Sequence, residues 1–171
     1  MSAAAVIDSL EFARAQQQLR GSVPAASLKR LEDVLFDTHG SVEYEVRGCL
    51  DGRNRPQLAL RVSGTLHLQC QRCLERLDYE LAVRNTLLVA TPGVDIDEDV
   101  DDPDAPDAIE ASPELDIAGL IEDEVLLSLP LAPRHPEGAC ESRLTRGTDA
   151  GARPKPFAEL AALKGPRRST R

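Results

Sequence analysis

Cys70 and Cys73, separated only by Gln71 and Arg72, are the side chains in this sequence best placed to do chemistry. Two thiolates two residues apart can reach one ion, and zinc takes four nitrogen or sulfur ligands at about 2.0 to 2.3 Å in a tetrahedron. The other half of such a site lies in His135-Pro136-Glu137-Gly138-Ala139-Cys140, an irregular, proline-bounded stretch with an imidazole and a thiol. The predicted ligands are therefore Cys70, Cys73, His135 and Cys140, holding a structural zinc. That ion would tie the C-terminal segment to the region around Cys70, where loop closure is otherwise unfavourable by several kcal/mol. In the simpler alternative, Cys70 ends a strand on its apolar face, Cys140 is a small buried hydrophobe and His135 is solvated.

A CxxC pair can also serve a thiol oxidoreductase, but that chemistry lowers the first thiol's pKa at a helix N-terminus, and here a strand is predicted to follow. Cys49 falls on the polar phase of its strand and is read as a bystander. His67, also on a polar face, is expected to be exposed rather than a ligand. No Gly-rich phosphate loop, nucleophile elbow or HExxH occurs, and the three histidines are scattered, so the chain reads as a non-enzyme without a small-molecule substrate. Asp97, Asp99 and Asp101 resemble a calcium loop, yet neither register supplies the Gly and Glu that an EF-hand requires.

The elements that must hold these residues fit one domain of 171 residues. Aromatics make up 3% with no Trp, so the core must be aliphatic. No stretch approaches the roughly 18 apolar residues of a membrane helix, and a secretory leader layout is missing. A cytoplasmic, membrane-free protein is expected, and its reducing compartment leaves the cysteines free for metal. Net charge is −9, but it is unevenly placed: residues 91–129 hold 14 acids and no base, and the last 42 residues hold 4 acids and 9 bases. Such a balance excludes a protein that coats nucleic acid or anionic membrane by overall charge.

Asp8 with Glu11 reads as a capping box opening a helix that Gly21 can end. Pro24 can open a second helix, with Leu28, Leu31, Val34 and Leu35 on one stripe, giving an N-terminal helical hairpin. From Ser41 the period becomes two. Val42, Tyr44 and Val46, then Leu58 to Leu68, then Leu77 to Val83 alternate with polar residues and predict three antiparallel strands. Asp116 should cap an amphipathic helix with Ile117, Leu120, Ile121, Val125 and Leu127 on its apolar stripe, Glu122, Asp123 and Glu124 facing water, and Pro130 at its end. The expected fold is α+β: a twisted antiparallel sheet, partly closed into a barrel, covered on one face by helices. Residues 1–164 form one domain with a disordered acidic insertion at about 92–112, Pro156 opens a short helix bearing Phe157, Leu160 and Leu163, and 165–171 form a flexible basic tail.

Several stretches occur in an order that resembles one family: Cys70-Gln71-Arg72-Cys73-Leu74, Glu114-Leu115-Asp116-Ile117, Glu122 through Pro130, His135 through Cys140, and Lys155-Pro156-Phe157-Ala158-Glu159-Leu160-Ala161-Ala162-Leu163-Lys164. Over essentially the whole chain they are similar to the bacterial YceD family, the large ribosomal RNA subunit accumulation proteins. The resemblance implies a role in synthesis, processing or stability of 23S ribosomal RNA and in large-subunit assembly, with cysteines described as metal-binding and no catalytic residue. Leu74 departs from the Gly that often follows the second Cys of a knuckle. On this reading the partner is 23S ribosomal RNA or a pre-ribosomal particle, met directly or through a ribosomal protein. Candidate phosphate contacts are Arg72 and Arg76 beside the knuckle and Lys164, Arg167, Arg168 and Arg171 in the tail. The alternative is an adaptor whose acidic loop chaperones a basic ribosomal protein.

Overall fold

The alternation of apolar and polar residues sets the architecture. In the computed structural model, which describes residues 5–91 and 106–140, strands β1 (Val6–Ile7), β2 (Gln18–Pro24), β3 (Ser41–Leu50), β4 (Pro56–Gln69), β5 (Arg76–Ala90), β6 (Ala108–Glu110) and β7 (Leu115–Asp116) accompany helices α1 (Ser9–Arg14) and α2 (Ile117–Ser128). The main sheet has the order β2-β3-β4-β5-β6, antiparallel except for the β5–β6 pair. Val42, Val46, Leu58, Leu60, Val62, Leu66 and Leu68 are buried, whereas Glu43, Arg47, Arg61, Ser63 and Thr65 between them are exposed. One sheet face is thus covered by α1 and α2, whose Phe12, Ala13, Ile117, Leu120, Ile121 and Val125 join the same core. Each fully buried aliphatic side chain contributes about 1.5 to 3 kcal/mol relative to exposure, so this face drives folding.

The α+β class is as expected, with two corrections. The sheet does not close into a barrel: β2 and the three-residue β6 are its free edges. Nor is there an N-terminal helical hairpin. Asp8 does cap α1, its carboxylate accepting from the Glu11 amide at 2.8 Å, but the helix stops at Arg14 because Gln16 turns left-handed with φ 51°. Gly21, expected as the helix stop, instead lies in β2, where an added Cβ would meet the Tyr44 ring. Pro24 ends edge strand β2, where its missing N–H is harmless. The expected second helix is two single 3-10 turns, Ala25–Ser27 and Lys29–Leu31, that bury Leu28 and Leu31.

Helix α2 has the predicted cap, Asp116 accepting from the Ala118 amide at 3.0 Å. Its acidic run does not simply face water. Glu122 accepts from the Arg30 amide at 2.7 Å, Asp123 pairs with the Arg30 side chain, and Glu124 is buried and accepts from Asn85 at 3.0 and 3.2 Å. Leu127, placed on the apolar stripe, is 80% exposed. The acidic insertion is structured at its end: Ala108–Glu110 pair with β5, and Ser112 exchanges hydrogen bonds with buried Ser9. Half-buried Ile109 gives that end something to pack. The rest of the insertion, the Pro156 helix and the basic tail lie outside the described residues. No helix among the described residues is long and apolar enough to cross a membrane.

Candidate metal centre

The last residue of β4, Gln69, pairs with the first of β5, Arg76, so Cys70 to Glu75 form the loop at the tip of the longest hairpin. The loop is closed by backbone bonds, Cys70 N–H to Glu75 C=O at 3.0 Å and Leu74 N–H to Cys70 C=O at 2.8 Å. Leu74 adopts φ 62°, the left-handed turn in which Gly would be at ease, and carries an exposed side chain. The knuckle backbone therefore forms without its usual glycine, at a cost of about 1 to 2 kcal/mol.

Beyond α2, the stretch from Pro133 to Cys140 lies against this tip. The Gln71 amide donates to Pro133 C=O at 2.9 Å, and the Arg72 guanidinium donates to Pro136 C=O at 3.3 Å. Gly138, at φ 82°, takes a left-handed turn that returns Cys140 toward the loop. The four predicted ligands meet: one donor atom from each of Cys70, Cys73, His135 and Cys140 lies within 4.8 Å of all the others, the one such cluster among the described residues. Cys70 Sγ to Cys140 Sγ is 3.6 Å, Cys73 Sγ to His135 Nδ1 is 3.4 Å and Cys140 Sγ to His135 Nδ1 is 3.5 Å. A tetrahedron with bonds of about 2.3 Å to sulfur and 2.0 to 2.1 Å to nitrogen has S···S edges of about 3.8 Å and S···N edges of about 3.5 Å. These three edges thus match those of a coordination shell.

The surroundings fit the same use. His135 Nε2 lies 2.9 Å from the Arg76 carbonyl, which can only accept, so Nε2 carries a proton and Nδ1 is the nitrogen that faces the sulfurs. Burial pushes the Cys70 thiol up, but amides of Cys73, Arg72 and His135 donate to its sulfur and hold its pKa at about 5. The Glu75 amide pulls Cys73 down, yet burial and the thiols of Cys70 and Cys140 leave it raised. Burial also opposes ionisation of Cys140, and hydrogen bonds from Arg72 and His135 overcome it. His135 is raised by Cys140 and Cys70, and Arg72 chiefly by Cys140. Such a cage of acids and one base is what a cation would neutralise, and the four residues could hold a metal ion. Cys70 is fully buried and Cys73 nearly so, on a hairpin tip rather than at the helix N-terminus a thiol oxidoreductase uses.

The remaining sequence candidates separate. Cys49 has only a distant neighbour in Gln57, 4.0 Å away. His67 is not exposed as expected. Its ring is 16% accessible, with Nδ1 2.7 Å from Asp37 and Nε2 3.8 Å from Asp78. The sequence had no means of showing this pairing, because Asp37 comes from an irregular segment. Arg76 is paired with Asp78 at 2.7 Å, and Arg72 is turned toward the thiols, so both already have internal partners. Lys164, Arg167, Arg168 and Arg171 lie outside the described residues.

Residues 58–164, which span both halves of the cluster, match the family of the large ribosomal RNA subunit accumulation protein YceD. The chain is also 27% identical over 166 residues to the Large ribosomal RNA subunit accumulation protein YceD of Haemophilus influenzae, covering 92% of this chain and 94% of that protein. No solved structure matches. With more than half its length inside the matched region, the chain belongs to the YceD family.

Proposed function

We propose that the protein is a non-enzymatic cytoplasmic factor in the synthesis, processing or stability of 23S ribosomal RNA, and so in assembly of the large ribosomal subunit. The observation that carries this reading is the similarity along nearly the full length of both chains to a protein named for large ribosomal RNA accumulation. The cluster supplies the structural half of the proposal: Cys70, Cys73, His135 and Cys140 hold one zinc ion. Three sulfurs and one imidazole nitrogen are a donor set zinc favours, and a closed four-ligand shell leaves no position for substrate, which makes the site structural. The ion neutralises the thiolates and clamps the Pro133–Cys140 stretch onto the β4–β5 tip.

The test is the ratio of large- to small-subunit ribosomal RNA in cells of the native organism lacking this protein. The ratio is expected to fall and to be restored by the wild-type chain. A normal ratio in the deletion would overturn the proposal.

A further inference from the structure

We infer that the uncovered face of the sheet carries a binding site for the phosphodiester backbone of RNA, built by Arg47, Arg61 and Arg84. This inference rests on the proposed role with ribosomal RNA and names the surface that touches it. The three residues come from three successive strands, and only the register brings them together. Arg61 of β4 stands directly opposite Arg84 of β5, and Arg47 of β3 stands opposite Ala59, two residues along β4 from Arg61. All three are exposed, on the face away from α1 and α2. Residues directly opposite in an antiparallel sheet have Cβ atoms about 5 Å apart, and diagonal neighbours about 7 to 8 Å, so the guanidinium groups form one short track.

Arg20, Arg30, Arg55 and Arg76 each have a carboxylate partner, whereas Arg47, Arg61 and Arg84 have none within ion-pair distance among the described residues. Glu45 stands directly opposite Arg61 and feels its charge, but the carboxylate is engaged by Arg20 at 3.0 Å and by Gln18. Like charges placed directly opposite on a sheet are destabilising, so the Arg61–Arg84 pair costs stability that Glu45, shared with Arg20, returns only in part. An external anion would return the rest.

The shape agrees. Arg47, Arg61 and Arg84 line an open cavity of about 650 Å³, together with Ala59 and Thr86. A guanidinium presents a planar fork that matches phosphate oxygens in pairs. Three of them along one track suit a polymer with one charge on each repeating unit better than a lone carboxylate. Two acids, Glu45 and Asp107, also line that cavity.

The test is binding of the full-length protein to transcribed 23S ribosomal RNA over a salt series, comparing wild type with the triple variant Arg47→Gln, Arg61→Gln, Arg84→Gln and with poly-glutamate as competitor. The variant is expected to bind at least tenfold more weakly at about 50 mM salt, with the slope of log affinity on log salt reduced by about 2 to 3, one phosphate contact per arginine. Its melting temperature should be unchanged or higher, because a like-charge pair is removed; a purely structural role would lower it. Wild-type affinity and slope in the variant, absence of RNA binding by the wild type, or poly-glutamate competing as well as RNA at equal charge would each overturn the site. A deletion strain with depleted 23S RNA whose protein binds RNA through other residues would remove this site and leave the proposed function standing. Normal 23S levels would remove that function itself.

Discussion

Asp37 accepts hydrogen bonds at a point where two imidazoles meet, His67 Nδ1 at 2.7 Å and His39 Nδ1 at 3.0 Å. Its pKa falls from 3.8 to about 2, chiefly through the His67 side chain and next through the His39 amide. Because the folded value lies below the unfolded one, the carboxylate's contribution to stability is fully present above about pH 4 and is lost as pH falls toward 2. Urea unfolding between pH 5 and 2 should therefore show a decline in the wild type that is shallower in Asp37→Asn; equal slopes would contradict the pairing. At this scale the sequence was legible where spacing carries the chemistry. Cys70 and Cys73 announce half a site by two intervening residues, and His135 with Cys140 supplies the rest. It was silent where a partner comes from a distant irregular segment, as with His67, or where one helix face meets a strand, as with Glu124 and Asn85.

Among the elements, α1 and β3 approach closely at Gly48. A Cβ there would lie 2.8 Å from the Ala13 Cα and collide with the Phe12 carbonyl, and neither backbone atom can swing aside. Gly48→Ala is expected to destabilise the protein by about 1 to 3 kcal/mol, read by chemical denaturation, with wild-type stability as the contrary result. The strands β3, β4 and β5 were visible in advance because one wet face imposes a period of two on the sequence. β2 was hidden. Leu19 and Val23 alternate with Gln18, Arg20 and Ser22, but Gly21 and Pro24 look like helix punctuation until the pairing with β3 explains them. Leu28 and Leu31 have the spacing of a helical stripe, and the same spacing serves two 3-10 turns, since both bury one residue in three or four. Ile109 alone was too weak a signal to announce β6.

Taken whole, the molecule divides its surfaces by charge and cover: helices and turns seal one sheet face, arginines stand on the other, and the β4–β5 tip receives the stretch after α2. The acidic block that dominates the sequence is partly absorbed by the fold, through the Asp116 cap, the contacts of Glu122 and Asp123 with Arg30, and Glu124 with Asn85. Composition alone hid this, since net charge does not say which acids face partners inside the chain. It also hid the arginine track, because strand alternation reveals which residues face water but not which ones stand beside each other. The β4–β5 tip brings Cys70 and Cys73 to His135 and Cys140, four residues that could hold one metal ion. Native mass spectrometry of untagged protein purified without added metal tests this directly. One zinc per wild-type chain, lost from a folded Cys73→Ser variant, is the expected result; a folded wild-type chain that carries no metal and takes up none when zinc is supplied would contradict it.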